Sequence, residues 1–147
     1  LKARSFLAPL VGKPAAGARL VNASSGAVLA TRLEPAFDST SRRRGLLGRD
    51  GLDPRAAILI APCNSVHTFF MRFTIDVVFA ARDGRVLKVC RQLKPSRIAA
   101  SLRAHAAIEF DSRGGAADSL KPGDVLTIQT SEPGRSAEPG QQNARQL

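Results

Sequence analysis

The sequence predicts a mainly β (α+β) domain, a curled, largely antiparallel sheet or partly closed barrel of about seven strands with two short helices. Three observations lead there. Short apolar or alternating runs recur between clusters of turn residues. Most connections are too short for the crossovers that parallel strands require. Hydrophobic residues make up 44% of the 147-residue chain, which suits one core, and no apolar run is long enough to span a membrane.

Residues 1–17 read as an N-terminal arm, 18–130 as the single compact domain and 131–147 as a disordered tail rich in Ser, Gln, Pro and Gly. Strands are expected at 19–23 and 27–33, joined through Ser24-Ser25-Gly26. Asp38-Ser39-Thr40-Ser41 offers N-caps for a short helix running to about Leu47, with Gly48 as its stop. The continuous apolar run 57–61 fits a buried strand. At 73–80, Phe73, Ile75, Val77 and Phe79 alternate with Thr74, Asp76, Val78 and Ala80, and Arg82-Asp83-Gly84-Arg85 turns that strand into 86–90. Further strands are expected at 104–110 and 125–128, with a short helical turn at 116–120 between them.

The net charge is +10, and the excess is spread along the chain except for the knot Arg42-Arg43-Arg44. A basic surface attracts phosphates, so nucleic-acid binding is a possible but weak function. Tyr and Trp are absent, and the Phe residues lie in strand-like runs rather than in a stacking pattern. The two cysteines make no disulfide framework, which points to reduced thiols and a cytoplasmic setting. The basic start followed by the apolar residues 5–12 gives an exported alternative.

Residues 62–79 concentrate four of the seven Phe, the single Met, one Cys and one His. A plain strand does not need the polar cluster that leads into it. Cys63, His67 and Met71 superficially match a copper-type ligand set, but that set needs a second imidazole, and His105 lies in an unrelated segment. No metal and no cofactor are therefore expected. Cys63 and His67 are candidates for a nucleophile and its base, with Asn64 as an orienting amide. Asp76 and Glu109 each interrupt an apolar strand, where an unpaired carboxylate is costly. Arg44 or Arg72 would be the structural partner of Asp76. Two such carboxylates act as acid and base only if a substrate reaches both.

Arg44-Gly45-Leu46-Leu47-Gly48-Arg49, then the run from Pro62 to Phe79, then Glu109 and Gly123-Asp124, resemble a widespread prokaryotic family, domain of unknown function 192. The resemblance covers residues 18–129. This chain has Thr74 where the family pattern carries Pro, and Ile108-Glu109-Phe110 where Leu, Glu and Leu are common. The resemblance implies a compact, mainly β domain and brings no established reaction.

The expected function is a small soluble binding or accessory module with a polar pocket around His67, Thr68 and Asp76, joined by Asn64, Arg44 and Glu109. Its partner would be a small molecule or a protein. A hydrolase using Cys63 and His67 is the alternative.

Overall fold

The computed structural model describes residues 4–131. The strands are β1 (Ala18–Asn22), β2 (Val28–Ala30), β3 (Arg32–Ala36), β4 (Ala56–Ile60), β5 (Ser65–His67), β6 (Ile75–Ala80), β7 (Val86–Leu93), β8 (Ile98–Ala100), β9 (Ala106–Asp111) and β10 (Leu126–Thr130). The one α-helix among the described residues, α1 (Ser39–Arg44), joins β3 to β4, and 3-10 turns occupy Ala8–Leu10 and Ser112–Gly114. Asp76 sits in β6 and Glu109 in β9.

The strands form three sheets rather than one curled sheet, and no barrel closes. A five-stranded sheet in the order β3-β4-β9-β6-β7 is the centre. A three-stranded sheet, β10-β1-β2, covers one side, and the pair β5-β8 stands apart. Pairing is antiparallel except between β3 and β4, where α1 supplies the crossover.

Two misreadings explain the low strand count expected from sequence. The run 27–33 looked like one strand, but the chain breaks at Thr31, leaving the outer sheet as β2 and entering the central one as β3. The strands β5 and β8 are three residues each, too short to display a period. The second expected helix is absent: residues 115–120 form hydrogen-bonded turns after the 3-10 turn that Asp111 caps. The first helix ends at Arg44, earlier than Leu47, where Gly45 takes φ 43° and donates to the Ser41 carbonyl.

β4, β6 and β9 are buried at every residue. One face carries Leu59, Val78, Ile108 and Phe110 against Leu20, Leu126, Ile128 and the N-terminal Leu7 and Leu10. The other carries Ile58, Ile60, Val77 and Phe79 against Leu46, Leu52, Met71, Phe73 and Ala99. The alternation of β6 therefore divides two apolar cores, not core from solvent. Residues 132–147, expected as a disordered tail, lie outside the described residues.

Candidate functional site

The second core leaves a cavity of about 450 Å³ at the C-terminal end of α1. Its wall comes from residues 42–47 on one side and 62–67 on the other, and Ile60, Met71 and Glu109 lie at its depth. Asp38 starts the helix by accepting from the Ser41 amide at 2.8 Å. This puts the three arginines in the last turn, beside the negative end of the helix dipole. Arg42 is half-buried and donates to the Phe37 carbonyl at 2.7 Å. Arg43 and Arg44 are exposed and have no ion-pair partner among the described residues.

On the opposite wall, the Ala61–Pro62 peptide is cis, and the Cys63 amide donates to the His105 carbonyl at 3.0 Å. β5 then pairs with β8, placing Val66 opposite the buried Ala99 and His67 opposite the exposed Ile98. Ser65 and His67 therefore face outward at the cavity mouth. His67 stacks on Phe69 with ring centroids 5.1 Å apart.

Glu109 is only 5% exposed, and its carboxyl, which borders the cavity, takes part in none of the side-chain hydrogen bonds of the described residues. Burial pushes its pKa up to about 7, so it keeps a proton much closer to neutrality than an ordinary glutamate does. An unpartnered carboxyl in this position is costly to the fold, which marks it as a group with a role beyond packing.

Five of the sequence candidates thus meet around one cavity: Arg44, Cys63, Asn64, His67 and Glu109. Thr68 and Asp76 do not line it. Thr68 is fully buried, donating from its hydroxyl to the Lys94 carbonyl at 2.6 Å and accepting from the Arg97 amide at 2.9 Å. Asp76 accepts from the Gln92 amide at 2.9 Å, where β7 bulges and Gln92 takes φ 56°. Neither suggested basic partner reaches it, since Arg72 pairs with Asp50 at 3.1 Å and Arg44 lines the cavity. The other Asp76 carboxylate oxygen is buried without a partner among the described residues.

Cys63 and His67 share the cavity without a hydrogen bond between them. The thiol donates to the Ser65 carbonyl at 3.2 Å, and burial pushes its pKa up, with the Glu109 charge adding to the shift. The His105 ring is taken by the Ser5 hydroxyl at 3.1 Å, and no group of three or more His, Cys, Asp or Glu converges as metal ligands would among the described residues.

The family model described as DUF192, Uncharacterized ACR, matches residues 20–128. The chain belongs to the DUF192 family. No curated protein sequence matches it. Two crystal structures are similar. One is of a candidate transcription regulator from Sinorhizobium meliloti 1021, with 23% identity and TM-score 0.64, covering 76% of this chain and 91% of that one. The other is of a protein of unknown function from Novosphingobium aromaticivorans DSM 12444, with 19% identity and TM-score 0.63, covering 78% and 96%. At these identities the likeness shows a shared fold. The DUF192 match includes every residue at the cavity, from Ser39 to Glu109.

Proposed function

We propose that this DUF192 domain is a binding module for a small anionic molecule held between the arginines of α1 and the Pro62–His67 segment. The observation that carries the reading is Glu109, a buried carboxyl without a partner at the depth of a cavity whose mouth holds the unpaired Arg43 and Arg44. The arginines would take the anionic group. Glu109, protonated, would donate to a second polar group of the ligand, while Leu46, Ile60, Val66 and Met71 would contact its apolar body. Asn64 and His67 would close the mouth, and Thr68 and Asp76 would hold the surrounding strands from behind.

Thermal unfolding in the presence of a panel of small carboxylates and phosphates at pH 6.5 tests this. At least one compound should raise the melting temperature, and Arg44→Ala should remove the effect. Stabilisation that persists in a variant lacking both Arg43 and Arg44 contradicts the reading. The hydrolase alternative has less support, because burial favours the Cys63 thiol, which donates to the Ser65 carbonyl and makes no hydrogen bond to His67.

A further inference from the structure

The small β5–β8 sheet and the turns that flank it carry the most exposed apolar side chains of the described residues. Thr68 and Met71 close a turn, the Met71 amide donating to the Thr68 carbonyl at 3.2 Å, with Phe69 and Phe70 at its tip. Phe70 is 89% exposed and takes φ 63°, the left-handed backbone that this turn position ordinarily gives to Gly or Asn. A bulky residue in that conformation is strained, and buried Thr68, bonded to Lys94, Ser96 and Arg97, over-determines the turn that holds it there. Folding alone would favour a different residue at this place. Ile98, the first residue of β8 and opposite His67 at the same end of the pair, is 68% exposed. Leu102, on the turn that follows β8 at the other end, is 85% exposed.

Charge surrounds these tips with one sign. From Gly84 to Ile108 the chain has six Lys or Arg and no Asp or Glu. Lys94 and Arg97 are exposed beside the Phe70 turn, and Arg103 adjoins Leu102. The Lys88 ammonium donates to the Ala100 carbonyl at 3.0 Å, which brings it to the edge of the same sheet. Arg72, next to the turn, is the one cation here paired with a carboxylate, the exposed Asp50.

We propose that the His67–Ile98 end of this sheet docks the protein on an anionic membrane surface, Phe70 and Ile98 entering the interface while Lys94 and Arg97 meet the headgroups. Apolar tips ringed by cations match the two layers of such a surface, apolar beneath anionic. A protein partner would instead favour a continuous, flat apolar patch. Phe70 and Ile98 are two single side chains, one on the turn and one on the strand beside it, and offer no such patch. The inference is independent of the cavity reading, because neither residue lines the cavity.

The test is cosedimentation of the full chain with vesicles of phosphatidylcholine alone and with about one-third phosphatidylserine. The protein should pellet with the anionic vesicles only, and raising salt from ~0.1 M to ~0.5 M should release it. Phe70→Asn should weaken partitioning at least about tenfold by removing the inserted ring. Because Asn accepts the left-handed backbone more readily, its melting temperature should be equal or higher, which separates lost docking from lost folding. Three results overturn the proposal. The first is failure of the full chain to pellet with anionic vesicles at low salt. The second is a Phe70→Asn variant that binds as well as the parent, which would reduce the effect to general polycation attraction. The third is a dimer that Phe70→Asn dissolves while vesicles are ignored, which would make the face a contact between copies.

Discussion

Asp76 and Glu109 lie on adjacent strands yet point to opposite faces of the central sheet. In the β6–β9 register Asp76 pairs with Phe110 and Val77 with Glu109, so Asp76 shares a side with Val78 and Phe110, and Glu109 shares one with Val77 and Ile58. The strands are neighbours, but no single substrate reaches both carboxylates. An acid–base pair built from them is ruled out by geometry. Their roles separate accordingly, with Asp76 serving the backbone and Glu109 the cavity.

Glu109 should make stability fall as pH rises. The folded state keeps a proton up to about pH 7, whereas the unfolded chain releases it near 4.5. Its contribution is therefore most favourable below about 4.5 and is lost as pH climbs through 7. The full swing is on the order of 3 kcal/mol. Glu109→Gln should flatten this part of the profile and be more stable than the parent at pH 8. Chemical denaturation at pH 4.5, 6 and 8 measures it, and parallel profiles for the two proteins would contradict it.

Asp76→Asn should change stability by less than about 1 kcal/mol, because the amide oxygen can still accept from Gln92 and no cation is left unpaired. Asp76→Ala removes that acceptor from a buried site and should cost about 2 kcal/mol. Denaturant titration of both variants separates this bulge-holding role from an ion pair, in which Asn would be nearly as damaging as Ala.

Thr68→Val keeps the shape of a fully buried residue and deletes its hydroxyl. The Lys94 carbonyl and Arg97 amide would lose their bonds at 2.6 and 2.9 Å. The expected loss is about 2 kcal/mol, with faster hydrogen exchange at the Arg97 amide. Unchanged exchange there would show that the hydroxyl does not hold the turn.

Cys63 should react slowly with iodoacetamide at pH 7, since burial and the Glu109 charge both favour the thiol over the thiolate. Mass spectrometry of the alkylated peptides reads this directly. Rapid, selective modification of Cys63 at neutral pH would restore the hydrolase reading.

Much of the frame was legible in the sequence because β4, β6, β7 and β9 carry apolar or alternating runs bounded by turn residues. The split at Thr31 was not, since nothing local distinguishes a strand that continues from one that changes sheets. The candidate residues Arg44, Cys63, Asn64, His67 and Glu109 could be picked out as polar groups that packing does not require, and they converge. Which way each carboxylate points depended on pairing register, which a single strand does not encode. The structural roles of two buried carboxylates were not read from the sequence, although Gly123-Asp124 was part of the family pattern. Asp124 accepts from Asn22 at 3.0 Å, and Asp111 accepts from the Leu52 amide at 3.1 Å while the Arg113 guanidinium holds its pKa down to about 2. A signal for the second was present: Asp111 precedes Ser-Arg-Gly as a cap precedes a helical turn.

The claim that Glu109 is an unpartnered carboxyl at the depth of a binding cavity has a direct measurement. NMR titration of the glutamate side-chain carboxyls, with Glu109→Gln for assignment, should give one midpoint near 7 that disappears in the variant. A Glu109 midpoint at or below the ordinary value of 4.5 would mean that the group is solvated or already paired, and the proposed site would lose the observation it rests on.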